Sequence, residues 1–313
     1  MDRDYIIKRL LLIIPTILIA SLFSFLIIRL APGDPAIVML GAYGSQEDLD
    51  RYRQTLGLDQ PWHVQYLLYM QRVVAGNWGD SIFSHVSVLG LVFSRFLNTL
   101  ELTVASMLFA TGLGVSIGYL AFDASRKGKK ALTSLYDTIT TVSFAIPTFW
   151  FGLILILVFS HYLGWLPSMG FGGPQYLVLP ALTLGMWAFG IIARQTKTAM
   201  LQESTEYYVK FAMSKGLPER KVMIKHVLRN ALIPIITTIS LQATALLAGA
   251  VITETVFNYP GLGYLPINSI FQRDYPLIQG AILFSLIIFV FVNFVIDALY
   301  GLIDPRIGYE GAK

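Results

Sequence analysis

Side chains able to ligate a metal, relay a proton or attack a carbonyl are sparse in this 313-residue chain and do not converge. There is no cysteine, which removes disulfides, thiolate zinc sites, iron–sulfur clusters and cysteine nucleophiles together. The histidines, His63, His85, His161 and His226, are scattered, and no H-E-x-x-H sets two of them on one helical face around a zinc ion. No G-x-x-x-x-G-K-[ST] occurs; "RKGKK" lacks both the first glycine and the hydroxyl needed to cradle phosphates and magnesium. Glu101, Asp137, Glu254 and Asp297 fall near the ends of apolar runs, so no ionisable group sits at mid-span, where a proton relay would need one. Sodium coupling through backbone carbonyls stays open. The expectation is no catalytic residue, no metal ligand and no cofactor held by this chain.

Charge gathers in one place instead. "YYVKFAMSKGLPERKVMIKHVLRNALIP", Tyr207 to Pro234, carries Lys210, Lys215, Arg220, Lys221, Lys225 and Arg229 between uncharged runs. Gln195–Arg229 reads as two short helices. Gly216 ends the first, because glycine accepts the left-handed conformation after a helix. Pro218 and Glu219 begin the second, with proline in the first turn and an acid at the positive helix end. Ala212 and Ser214 precede the hinge and are small enough for another surface to approach closely. A basic loop that merely enforces topology would explain the charges. Helix–Gly–Pro–helix exceeds that need and has the form of a rigid knob that docks in a partner's groove.

The elements that must carry this knob are set by composition. Hydrophobic residues make up 55% of the chain and charged residues 13%, against about a quarter charged in an ordinary soluble domain. With a mean hydropathy of +0.63, the chain reads as a membrane protein. A crossing helix needs about 20 mainly apolar residues. Leu10–Ile28, Leu102–Phe122, Thr138–Tyr162, Tyr176–Ala193, Ala231–Thr253 and Tyr275–Ile296 give six spans, the third and fourth parted by the turn-rich "GWLPSMGFGGP". The first is too long for a signal core and is followed by "RLAPGDP", no cleavage site, so it reads as uncleaved. Arg3, Lys8 and Arg9, then Arg126, Lys127, Lys129 and Lys130, then the cluster from Arg194 to Arg229 all fall on one side. That places both termini and the knob in the cytoplasm. The net charge of +4 sorts by membrane side rather than onto a nucleic-acid face, so no nucleic-acid partner is expected.

Between the first two spans lies a long outer loop with two expected helices. "SQEDLDRYRQTLG" has Ser45 as N-cap and Gly57 as stop, and "PWHVQYLLYMQRVVAG" opens on a proline. In the latter Trp62, Tyr66, Tyr69, Met70 and Val73 share a face for packing on other spans or the membrane surface. On the fifth span Thr237, Ser240 and Thr244 lie on one side, and Asn293 and Asp297 pair at i, i+4 on the sixth. Such polar faces either line a route or hydrogen-bond neighbouring helices. After the fifth span, "ETVFNYPGLGYL" makes a tight excursion at the outer face through Pro260, Gly261 and Gly263. It is a simple helix-capping turn or a gate.

"ARQTKTAMLQESTEYYVKFAMSKGLPERKVMIKHVLRNALIP" resembles the EAA loop of binding-protein-dependent ABC importer permeases, in the dipeptide/oligopeptide form. Where the family has Glu-Ala-Ala followed by glycine, this chain has Lys210, Phe211, Ala212 and then Gly216, with Glu206 as the nearest acid. "RLAPGDP", "LGLDQPWHVQYLLYM", "GNWGDS", "ETVFNYPGLGYL", "RDYPLIQG" and "DPRIG" are similar to the same branch in order and spacing. The resemblance implies an all-α, six-span type I importer permease of the inner membrane. It implies division into 1–97 (first span and outer loop), 98–304 (permease core, coupling loop about 195–230) and a tail at 305–313. It implies a B-type subunit partnered by a C-type permease, two cytoplasmic ATPases that hold ATP and Mg, and an external solute-binding protein or lipoprotein. Glu206, Lys210, Ala212, Ser214, Gly216, Leu217 and Arg220 would couple to the ATPases. Glu254, Asn258, Pro260, Gly261 and Gly263 would form an outer gate or binding-protein contact, and Thr237, Ser240, Thr244 and Asn293 would line the pathway. The cargo would be di- or oligopeptides, with nickel chelates, glutathione or oligosaccharides as alternatives. An ion-coupled secondary transporter is the rival class.

Overall fold

The computed structural model describes the backbone of residues 3–30 and 59–303, with Glu47 and Asp50, and the side chains of 13–26 and 59–295. Helix follows helix: α1 Arg3–Leu30, α2 Trp62–Val74, α3 Val88–Arg126, α4 Lys130–Ala145 and α5 Thr148–Tyr162, then α6 Pro174–Glu203, α7 Tyr207–Ser214, α8 Glu219–Val256, α9 Tyr264–Gln272 and α10 Tyr275–Ile303. Of the helix expected at Ser45–Gly57 only Glu47 and Asp50 are described, both helical, and the tail 305–313 lies outside the described residues. The prevalence of helix follows from the solvent: in hydrocarbon each backbone N–H and C=O must find its partner within the segment.

Among the described residues four helices, α3, α6, α8 and α10, are long and apolar enough to cross a membrane. The third expected span is broken. α4 and α5 meet at 105°, because Ile146 before Pro147 is extended (φ −80°, ψ 128°). A residue before proline is pushed out of the helical region, and proline has no N–H to continue the ladder. Counted as one, this bent pair makes a fifth crossing. The described apolar stretch of α1, Ile13–Leu26, is shorter than a crossing needs.

The chain forms two compact units. Thr99–Tyr259 of the first is organised around α6. Leu179, Leu184, Phe189 and Ile192 of α6 are buried with Leu102 and Ala110 of α3, Leu155 of α5, and Leu246 and Ala250 of α8. Glycine lets the backbones close up. A Cβ on Gly185 would lie 2.7 Å from the Ser106 carbonyl oxygen of α3, and one on Gly190 would meet the Ser143 hydroxyl and stand 2.7 Å from the Thr140 carbonyl oxygen of α4. A second cluster joins Phe122, Met200, Val209, Ala212, Val222, Met223 and Val227 beneath the charged segment.

The other unit comprises Arg3–Asn98 and Pro260–Phe294. Val88 and Val92 of α3 pack there with Leu262, Leu265, Leu277, Ala281 and Phe284. The aromatic face expected on α2 is partly used for packing: the Tyr66 hydroxyl shares a 2.8 Å hydrogen bond with Ser21. Phe25 stacks on Tyr66 and Tyr69 at centroid distances of 5.6 and 6.0 Å, while Trp62 is left exposed.

Gly190→Leu is expected to destabilise the first unit by about 1–3 kcal/mol or more, the usual cost of overpacking a close contact. Gly112→Leu, with nothing within 4 Å of the added Cβ, should change little. Melting of the purified protein in one detergent checks this, and equal midpoints for the two variants would contradict it.

Candidate functional site

The charged segment is a short helix seated on an apolar base. α6 ends at Glu203, and Glu206 caps α7 through its main-chain carbonyl, which accepts from Val209 and Lys210 N–H at 3.1 and 3.4 Å. On α7, Val209 and Ala212 are buried against Met200, Val222 and Met223. Tyr207 and Phe211 point outward, 84% and 62% exposed. The Lys210 ammonium lies 5.3 Å from the Tyr207 ring and that of Lys215 lies 4.4 Å from the Phe211 ring. The outer face is therefore aromatic and cationic at once. Ser214 Oγ donates back to the Phe211 carbonyl at 2.9 Å. Burial first, and then Glu203, push the Tyr208 hydroxyl up to about 12, so it stays protonated and donates to Glu203 Oε2 at 2.7 Å.

Gly216 has φ +75°, the left-handed stop expected of it, and Leu217 packs on the apolar base. Two expectations change. Pro218 is the N-cap rather than a first-turn residue, and the second short helix is not separate. From Glu219 the chain runs unbroken to Val256 as α8, because no breaker intervenes before Pro234, which the helix absorbs. Met223–Leu228 is wound as a π-helix at this junction. Ala212 also faces inward, 8% exposed, so its small size serves packing within the chain and offers no room to another surface. Arg126, at the end of α3, pairs with Glu219 at the start of α8 and with Asp123. Arg220 is exposed.

At the other end of α8, Glu254 is fully buried. Its Oε1 accepts from Thr99 Oγ1 at 2.5 Å, and its carbonyl accepts from Tyr259 N–H at 2.8 Å. Asn258 takes the turn with φ +48° and is exposed. Tyr259 is 1% exposed and stacks on Phe171 at 5.5 Å; burial and then the charges of Glu101 and Glu254 raise its hydroxyl pKa. In the second unit, the Pro260 carbonyl accepts from Asn98 Nδ2 at 2.8 Å and Arg95 at 3.4 Å. Gly261 is buried, and Gly263 caps α9. Glu254 is thus an anchor rather than a mouth residue.

The polar stripe on α8 is half-buried. Thr237 and Ser240 donate to their own helix, to the Ile233 and Ile236 carbonyls at 3.0 Å, as hydroxyls in helices often do. Thr244 lies on the same stripe, and Asn293 bonds the Phe289 carbonyl at 2.9 Å. The Asp297 side chain lies outside the described residues. Among the described residues no group of three potential metal ligands converges.

Sequence reasoning missed the pairs that close over distance: Thr99 with Glu254, Arg126 with Glu219, Asp137 with Lys197 at 2.7 Å, and Ser81 with Asp274. Ser81 Oγ donates to Asp274 Oδ2 at 2.5 Å, and Asp274 Oδ1 also takes the Leu277 N–H at 3.3 Å. These two lie within "GNWGDS" and "RDYPLIQG". The stretches were visible as motifs, but their pairing was not.

Residues 110–309 match the family described as "Binding-protein-dependent transport system inner membrane component", and residues 2–107 match its N-terminal companion. The glutathione transport system permease protein GsiC of Salmonella paratyphi A is 41% identical over 307 residues, covering 98% of this chain and 99% of that protein. Its counterpart from Escherichia coli (strain K12) is 40% identical over the same coverage. Among solved structures, the inward facing MetNI methionine ABC transporter aligns with a TM-score of 0.58 at 17% identity, over 69% of this chain and 97% of that one. An amino acid ABC transporter aligns with a TM-score of 0.52 over 67% and 93%. At such identities the likeness is one of fold, that of type I importer permeases.

Asp274→Ala would strand the Ser81 hydroxyl and the Leu277 N–H in a buried site, at a cost of about 1–3 kcal/mol. Asp274→Asn keeps an acceptor and should lose less. Denaturant or thermal midpoints give the order, and an alanine variant as stable as the parent would refute the assignment.

Proposed function

The chain belongs to the binding-protein-dependent inner-membrane permeases of ABC importers, and we propose that it carries short peptides of the glutathione kind, coupled to ATP hydrolysis through α7. As a permease subunit it has the membrane path, and hydrolysis belongs to partner chains. In this reading the machine is completed by a related C-type permease, two cytoplasmic ATPases and a solute-binding protein at the outer face. The chain would cross the bilayer six times with both ends in the cytoplasm, α1 supplying the first crossing and the bent α4–α5 pair the third. Its functional divisions would be 1–97, 98–304 and 305–313.

The observation that carries this reading is the geometry of α7. A two-turn helix exposes Tyr207, Phe211, Lys210 and Lys215 while Val209 and Ala212 fix it to an apolar base. Aromatic and cationic side chains that no described residue covers make a surface that a partner's groove can fill, and aromatic anchors dominate such interfaces. Glu219, Val222 and Met223 continue directly into α8. Movement of the docked helix reaches this membrane span through the packing of Val209 and Ala212 on Val222 and Met223. Energy enters as the partners' differential affinity for inward- and outward-open states.

Peptide cargo rests on the named relatives and on the sequence motifs of the peptide branch. Glutathione, itself a tripeptide, fits both. Selectivity resides largely in the binding protein, which hands its ligand to the outer mouth near Asn258 and Gly263; Thr237, Ser240, Thr244 and Asn293 stand as path-lining residues.

Phe211→Glu alters the exposed face without touching the core, and Gly216→Val forces a branched side chain into a left-handed position. Both should retain an assembled complex and lose at least about tenfold of ligand-stimulated ATPase and uptake, since truncating an interface anchor commonly costs more than 1.4 kcal/mol. Full stimulation in both would reject coupling through α7. For cargo, labelled glutathione uptake should be competed by di- and tripeptides. Competition by nickel chelates or oligosaccharides alone would replace the peptide reading.

A further inference from the structure

At the cytoplasmic end of the first unit, an open cavity of about 610 Å³ is lined by Ser125, Gly128, Lys130, Thr133, Ser134, Asp137, Thr138, Thr141 and Val142. The coupling helix forms no part of it. We propose that this cavity seats the headgroup of an anionic phospholipid from the inner leaflet, its acyl chains lying along the neighbouring face of α4.

Charge is the first argument. The lining contains one carboxylate, Asp137, and both of its oxygens are taken by Lys197 Nζ at 2.7 Å. Asp123 is likewise occupied by Lys127 at 2.7 Å and Arg126 at 3.3 Å. Among the described residues no carboxylate pairs with Lys129, Lys130 or Arg194. Arg194 lies beside the cavity, its guanidinium reaching the Thr141 hydroxyl at 3.3 Å over the Phe144 ring. The site is therefore cationic once its internal pairs are cancelled, and lysine stems let the ammonium groups reach the headgroup level.

Hydrogen-bonding capacity is the second. Thr133 and Thr141 donate to their own helix, to the Lys129 and Asp137 carbonyls. The hydroxyls of Ser125, Ser134 and Thr138 donate to no described residue. A phosphodiester presents acceptors that match these donors and the two lysines.

The third argument separates a lipid from a free anion. Leu135, Ile139 and Val142 recur at i, i+4 and i+7 beside the cavity and are 53%, 38% and 42% exposed. A stripe of bare aliphatic side chains continuing from a cationic, hydroxyl-lined hollow suits a molecule with one polar end and one hydrocarbon end. Location agrees: Arg126–Lys130 is a short basic turn between α3 and α4, on the side that the lysine and arginine distribution assigns to the cytoplasm. Basic pockets between helices at that level hold anionic headgroups.

The test uses the assembled transporter in phosphatidylcholine nanodiscs with a fluorophore on Ala131→Cys, an exposed position outside the lining in a chain otherwise without cysteine. Acyl-spin-labelled phosphatidylglycerol should quench it several-fold more than equally labelled phosphatidylcholine at equal mole fraction. Lys129→Gln with Lys130→Gln should bring that preference down to near parity, since surface attraction supplies about five-fold per basic residue. The paired arginine variant should keep the preference, and because both lysines are exposed, melting should be unchanged throughout. Excess inorganic phosphate should leave quenching untouched. Equal quenching by the two lipids, or a preference that survives the glutamine pair, overturns the site. Displacement by inorganic phosphate overturns the lipid in favour of a soluble anion.

Discussion

Close backbone contact around α6 is the constraint on which the first unit depends. Between helices in lipid the hydrophobic effect supplies no net drive, since acyl chains are as apolar as leucine; dispersion and shape complementarity must hold the bundle. Gly185 and Gly190 bring α3 and α4 within range of backbone-to-backbone contact. Leu184, Ala188, Phe189 and Ile192 then fill the remaining space. Larger residues at either glycine would hold the helices apart and forfeit many small contacts together.

The charged segment is seated on the cytoplasm-assigned continuation of the same helices. α6 leads through one capped turn into α7, α7 rests on Met200, Met223 and Val227, and α8 begins three residues after Gly216 with no break until Val256. The ion pair between Arg126 and Glu219 ties the start of α8 to the end of α3. Being half exposed, that pair contributes little to stability, about 0–1 kcal/mol by the behaviour of similar pairs. Its use lies in fixing direction. Within α8, Met223–Leu228 is wound as a π-helix, and such turns concentrate at functional sites.

Buried carboxylates follow a different logic. Glu254 and Asp274 are each fully buried, and each accepts from a hydroxyl far away in sequence, Thr99 and Ser81. A buried carboxylate is costly unless hydrogen-bonded. Each such bond therefore specifies one arrangement of its turn and penalises alternatives. The turn after α8 is held in the first unit through Glu254 and Tyr259.

Sequence alone determined what depends on local rules. The scarcity of charge required helices in lipid, and lysine and arginine placement supplied the expectation for their orientation. Gly216 marked the end of α7 because its left-handed angle is a property of one residue. The family was legible because its motifs are contiguous strings. Tertiary structure decided what depends on neighbours distant along the chain. Ala212 looked available and proved buried, since helical spacing cannot say which face meets a core. Pro147 broke a run whose composition looked continuous, while Pro234 sat in an unbroken helix, although the same residue type stands at both. Ser81 met Asp274 across 193 positions, a pairing that no local pattern encodes because only packing brings the two motifs together.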